Sequence, residues 1–293
     1  MRSLLLPVTI ASLGAVVVPV VSAQDCALQF DGRVPANLGL AGFDASNQIF
    51  SNANVLGAGL KFSQLLRLPA VTAGSLFDVN TSPVEVTISD ASIFNGQTGF
   101  RRAELLPASN SGTDPSTTGV KTLHFSVMKD AQRPLNLSHE YQLVFLESND
   151  FSTNQFVLKT GTILGSVPSQ GNAGRNPADT LQLFGNVNQN QVLFSAPFAS
   201  GVFHNFAVTL DFDALTTQVF FSAGNAPLKA VTGVLPNDVS GQGQFHFGVL
   251  KKPVNGVGDI TKNGDQPDGI DEGIIFGGIF QEDSSAGCIS LSP

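Results

Sequence analysis

Tryptophan is absent from the 293 residues and Tyr141 is the one tyrosine, so 23 phenylalanines supply nearly all of the aromatic surface. Any site that stacks planar rings or pyranose faces must therefore use phenylalanine. Positive charge is also scarce: 15 Lys and Arg stand against 23 Asp and Glu, a net charge of −8, with no basic cluster beyond Arg101-Arg102 and Lys251-Lys252. That balance disfavours nucleic acid and anionic membranes as partners and fits a neutral substrate. Long apolar runs are missing except at the N-terminus. There Met1-Arg2 precedes an apolar stretch from Leu4 to Val21, interrupted by Pro7 and Pro19 and followed by Ser22-Ala23. One basic residue, an apolar centre and small residues at the last and third-last positions describe a secretory signal peptide, residues 1–23, cut after Ala23. The two prolines leave too little unbroken apolar length for a membrane anchor. The expected product is a secreted, extracellular, monomeric chain of one domain, residues 24–293.

Cysteine is limited to Cys26 and Cys288, one near each end of that mature chain. In an oxidising compartment a disulfide between them is the natural reading, and ends that meet belong to one compact body. Zinc-ligand spacings, phosphate-cradling glycine loops and a Gly-x-Ser-x-Gly elbow are all lacking. The acidic segment from Asp259 to Glu272 does not follow a twelve-residue calcium loop and reads as a solvated loop. No metal or cofactor is expected. Asn80-Thr81-Ser82 and Asn136-Leu137-Ser138 are N-glycosylation acceptors at Asn80 and Asn136.

What the chain does have is short β-rich runs punctuated by Gly, Asn, Asp and Pro, among 30 Gly and 16 Pro, with little helical periodicity. The runs are Val84 to Ile88, Thr122 to Val127, Tyr141 to Leu146, Gln155 to Leu158, Thr180 to Phe184, Val192 to Phe194, Asn205 to Phe212, Gln218 to Ser222, Gln244 to Leu250 and Ile274 to Phe280. This spacing predicts an all-β fold, an antiparallel jelly roll or β-sandwich with a concave substrate-binding sheet. The segment Gly57 to Leu68 fits a helical turn or a strand. Phe100-Arg101-Arg102-Ala103-Glu104-Leu105 alternates with the period of a strand, placing Arg102 and Glu104 on one face and Ala103 and Leu105 on the other. Thr122 to Val127 repeats the pattern with His124 outward, and Tyr141 to Glu147 ends in a carboxylate before Ser148-Asn149-Asp150. Carboxylates on neighbouring strands of a concave sheet suggest acid–base work on a glycosidic bond.

Several longer runs occur together: Phe30-Asp31-Gly32-Arg33-Val34-Pro35, Thr98 to Pro107, Gly119 to Ser126, Ser138 to Phe145, Phe156 to Thr162, His204 to Asp211, Phe245 to Lys251 and the ending Cys288 to Pro293. In these the chain resembles glycoside hydrolase family 131, a fungal family of secreted β-glucanases, from about Cys26 onward. The resemblance implies a β-jelly roll, hydrolysis of β-1,3, β-1,6 and β-1,4 glucans with inversion at the anomeric carbon, and two catalytic glutamates. The first maps onto Glu104. The second falls on Glu147 or Glu140. Strand parity does not choose between them, because neither face of Tyr141 to Glu147 is cleanly polar; Glu147, at the end of a continuous strand, is preferred.

Around this pair, Arg102 is expected to lower the pKa of Glu104 and favour a base role for it. His124, Lys159 and Lys251 are candidate contacts to sugar hydroxyls or to a catalytic carboxylate. His204 and His246 lie in apolar runs and read as packing residues. The partner is a β-glucan polysaccharide or oligosaccharide. The competing readings are a non-catalytic glucan-binding jelly roll and, further off, a polysaccharide lyase built on His124 and Tyr141.

Overall fold

The computed structural model describes residues 26–45, 49–51, 56–71, 74–108, 115–164 and 177–293; the signal-peptide segment, residues 1–23, lies outside them. Twelve strands of four or more residues follow in chain order: β1 (Leu28–Asp31), β2 (Val84–Ser89), β3 (Arg101–Leu105), β4 (Val120–Lys129), β5 (Glu140–Glu147), β6 (Asn154–Gly161), β7 (Thr180–Phe184), β8 (Val192–Pro197), β9 (His204–Asp211), β10 (Thr216–Ala223), β11 (Gln244–Lys251) and β12 (Asp271–Asp283). All ten runs read from the sequence are strands. The segment Gly57 to Leu68 holds both of its alternatives, a helical turn at Phe62–Leu65 and a two-residue strand at Leu66–Arg67. Phe62 and Leu65, three apart, bury one side of that turn, and Gln64 Oε1 accepts from the Lys61 N–H at its start.

The strands form two main antiparallel sheets. The larger carries β10-β9-β4-β12-β2 in its centre, with β1 on β12, and the six-stranded sheet runs β8-β7-β6-β5-β11-β3. Between them lies one apolar core. The inward positions of the six-stranded sheet fill it, Ala103 and Leu105 from β3, Phe156 and Leu158 from β6, Phe245, Phe247 and Val249 from β11. From the larger sheet come Leu123, Phe125 and Val127 of β4 and Ile274 and Phe276 of β12. Period-two alternation thus gives each sheet one face in the shared core and one outer face.

The outer faces differ. That of the larger sheet is covered by the chain itself: Leu76, Phe77 and Leu228 pack with the sheet residues Ala207, Phe220 and Phe280, and Leu76 N–H donates to Asn205 Oδ1. The outer face of the six-stranded sheet stays open as a groove. The expected disulfide joins Cys26 to Cys288, 262 residues apart in sequence, beside β1 and the end of β12. Ser290 N–H adds a hydrogen bond to Glu282. Replacing Cys288 with serine is expected to cost about 2–5 kcal/mol of stability, read as a lower thermal midpoint; a midpoint unmoved by the substitution or by reductant would show that the terminal strap holds without the bond.

Candidate active site

Strand β3 delivers Arg102 and Glu104 to the groove side of the six-stranded sheet, opposite the buried Ala103 and Leu105. Arg102 Nε and Nη2 donate to the two oxygens of Glu104 at 2.7 and 2.8 Å, a bidentate pair that fixes both planes. The Glu104 side chain has no solvent exposure, and its third contact is His246 Nδ1, which donates to Oε2 at 2.7 Å. Burial alone would raise the Glu104 carboxyl, but the Arg102 guanidinium and His246 more than offset it and hold it at about 2. For His246, burial pushes the pKa down while the Glu104 hydrogen bond and the charges of Glu104 and Glu147 raise it above 6.5. Its ring lies stacked on Phe145 with centroids 4.3 Å apart.

Strand β5 carries the other carboxylates, and a register shift decides their face. Pairing with β6 slips between Gln142 and Val144, and Tyr141, Leu143, Val144 and Leu146 all point into the core. Two consecutive inward residues reset the parity. Glu140 and Gln142 before the shift, and Phe145 and Glu147 after it, therefore share the groove side. This is why unbroken alternation could not separate Glu140 from Glu147.

Strand β11 stands between β3 and β5, so Glu104 and Glu147 lie two strands apart. Glu104 pairs with Gly248 and Glu147 with Gln244. His246, midway between those positions, reaches both: Nδ1 holds Glu104, and Nε2, which makes no hydrogen bond among the described residues, stands 3.5 Å from Glu147 Oε2. Two glycines make room. A Cβ on Gly248 would come within 2.2 Å of the Ala103 carbonyl oxygen and 2.9 Å of Glu104 Cγ, and one on Gly243, at φ +104°, would fall 1.7 Å from the Glu147 carbonyl oxygen.

The groove has a volume of about 960 Å³ and is lined by Arg102, Gln142, Glu147, Lys159, His246 and Lys252 among its polar groups. Phe100, Phe145 and Leu250 form its floor and pack with Val157 and Phe184. Glu140 is buried at the far side of Lys159 and Lys252, at 3.2 and 2.7 Å, and accepts from Leu164 N–H. Burial would raise its pKa, but the two ammonium groups lower it on balance. A smaller apolar hollow of about 460 Å³ lies on the larger sheet beside Met128 and Ile275; the convergent ionisable groups around an open strand face belong to the groove. Among the described residues no trio of His, Cys, Asp or Glu is placed to hold a metal ion.

Two expected contacts lie elsewhere. His124 is fully buried on β4 of the larger sheet, bonded through Nε2 to Glu282 at 2.8 Å and stacked on Phe280. Alternation placed it outward correctly, but outward there means under the chain that covers that sheet. Lys251 keeps step with Phe245, Phe247 and Val249, so it points inward and donates to Glu272 at 2.5 Å, an acceptor it shares with the Tyr141 hydroxyl. Its neighbour Lys252 faces the groove, as Lys159 does. Of the two histidines read as packing residues, His204 and His246, it is His246 that lines the groove. Its signal was present in Gln244-Phe245-His246-Phe247, where the histidine alternates with phenylalanines and shares the face of a glutamine.

The family model for the glycoside hydrolase 131 catalytic N-terminal domain matches residues 28–287. Among solved structures, a GH131 β-glucanase catalytic domain from Podospora anserina is similar over 91% of this chain and 98% of its own length, at 23% identity and a TM-score of 0.70. The catalytic domain of a glycoside hydrolase family 131 protein from Coprinopsis cinerea matches over the same shares at 23% identity and a TM-score of 0.67. No curated protein sequence matches. With the match running from β1 through β12 and on past it, and with a carboxylate-lined groove on the open sheet, the chain belongs to glycoside hydrolase family 131.

Proposed function

We propose that the protein hydrolyses β-glucans, taking β-1,3, β-1,6 and β-1,4 linkages, with inversion at the anomeric carbon. The observation that carries this reading is the relay Glu104–His246–Glu147 at the side of an open groove. Its outer carboxylate, with 24% of the side chain exposed, reaches the substrate, and its inner one, with none, does not. Glu147 is therefore the group that exchanges a proton with the glycosidic bond or the attacking water. Glu104, held ionised by Arg102, acts through His246: it fixes the ring with Nδ1–H toward itself and favours the imidazolium, whose Nε2 faces Glu147. Lys159, Lys252 and Gln142 offer donors and acceptors for sugar hydroxyls further along the floor. The lyase reading loses its parts, since His124 sits on the other sheet and Tyr141 points into the core.

We also propose secretion as the chain's route, supported by the N-terminal segment and by a disulfide that an oxidising compartment sustains. Asn80 and Asn136, the two sequon asparagines, are both exposed and available for a glycan.

Release of new reducing ends from soluble β-1,3, β-1,4 and β-1,6 glucans, with the anomer of the first product followed by NMR, tests the function. Glu147→Gln is expected to lower kcat by about 10²–10⁴-fold, and Glu140→Gln to act mainly on KM; a dead Glu140 variant beside an active Glu147 variant would overturn the assignment. Gly243→Ala is expected to lose activity with Glu147 intact, because the new methyl displaces its backbone.

A pH signature follows from the buried pair. The Glu104 pKa is depressed, so its contribution to stability is complete above the ordinary 4.5 and is lost as pH falls through about 2. That of His246 is raised, so its contribution is complete below 6.5 and is lost as pH rises through its folded value. Glu104→Gln is expected to destabilise most between pH 4.5 and 6.5, as measured by denaturant unfolding across pH; a penalty independent of pH would contradict the charged relay.

A further inference from the structure

We propose that Phe151 is the sugar-stacking platform of the groove, set beside Glu147 to hold the face of a glucosyl ring. The assignment rests on the β-glucan reading above. Phe151 is 74% exposed, the one aromatic among the large apolar side chains that the described residues leave exposed, and it lines the groove. Of the four phenylalanines in the groove wall, Phe100 and Phe145 are buried and Phe94 is half-buried, so Phe151 alone presents a free ring. Tyr141, the other ring that could serve, is committed to the core.

The backbone says that this exposure is maintained against a cost. Phe151 has φ +59°, the left-handed region in which a bulky residue is a rare outlier. Such strain persists only where the surroundings over-determine it, and here they do. The loop closes by Ser148 N–H to the Thr153 carbonyl and Phe151 N–H to the Ser148 carbonyl, both 2.9 Å, and Asn149 N–H ties it to the Gly241 carbonyl. Asp150 Oδ1 accepts from Ser148 Oγ, Ser152 Oγ and Ser152 N–H, while Ser148 Oγ accepts from Thr153 N–H. A glycine would sit at this position without strain, and a polar residue would spare the exposed apolar surface. The chain instead places a phenyl ring four residues after Glu147, on a loop rigid enough to aim it. An apolar ring face suits the C–H face of a pyranose, and among the described residues no other aromatic ring of the groove is as exposed.

The test compares wild type with Phe151→Ala, Phe151→Gly and Phe151→Trp, using retardation in native gels containing whichever soluble β-glucan the wild type cleaves, together with KM, kcat and melting temperature. Phe151→Ala is expected to weaken retardation and raise KM roughly three- to tenfold while moving kcat far less. Phe151→Gly should show the same loss of affinity with a higher melting temperature, because it releases the left-handed strain, and Phe151→Trp should bind more tightly than wild type. Wild-type KM and retardation in Phe151→Ala would overturn the proposal, as would affinity losses that track a fall in melting temperature. If the wild type itself neither cleaves nor is retarded by any β-glucan, the substrate reading fails, and the platform fails with it; that outcome is recognised from the wild type alone.

Discussion

A carboxylate without access to water, Glu104, must be neutralised where it stands, and the surrounding structure is arranged around that requirement. An isolated ionised carboxylate in such a place would protonate or refuse burial. Arg102 meets it with two parallel hydrogen bonds, and His246 with a third. The arginine is held in turn by Gln97 Oε1 at 3.2 Å, with its guanidinium 5.8 Å from the Phe94 ring centre. The histidine rests on Phe145. Each partner is thus fixed twice, and one imidazole spans from Glu104 to within 3.5 Å of Glu147 at the groove wall.

Strand β11 makes that geometry possible. It puts His246 between two strands that each bring a glutamate, and it thins itself with glycine where those glutamates approach. The register shift in β5 then turns Glu140, Gln142, Phe145 and Glu147 to one side, giving the groove the Glu147 carboxylate and leaving Glu140 buried behind the lysines that line it. Loop Ser148–Thr153 continues directly from Glu147, so the position of that carboxylate and the shape of the wall beside it are set by the same short segment.

Alternation carried the sequence reading a long way: the strands, the sandwich, the shared face of Arg102 and Glu104 and the bridge between the chain ends all follow from local pattern and compartment. Its failures have specific causes. Period two assigns a residue to a face but does not say whether other chain covers that face, which is how His124 came to be read as a groove residue. Tyr141 to Glu147 could not be resolved, because two successive inward residues reset the count and no side chain advertises such a slip. Lys251 and His246 were errors of another kind. In both cases the flanking phenylalanines gave the parity, but the apolar surroundings of His246 suggested packing and the terminal place of Lys251 suggested solvent. Phe151 was beyond reach, since one phenylalanine among 23 is distinguished only by where its loop sends it.

The central claim is that Glu104 keeps His246 charged beside Glu147. Of the four histidines, His124, His139 and His204 have pKa values lowered, in each case chiefly by burial, and only His246 has one that is raised. An NMR titration of the imidazole resonances is the most direct measurement. One histidine in the wild type should titrate above 6.5, and that signal alone should fall in Glu104→Gln. A wild-type spectrum in which all four imidazoles titrate at or below 6.5, or a high-titrating histidine indifferent to the substitution, would contradict the account.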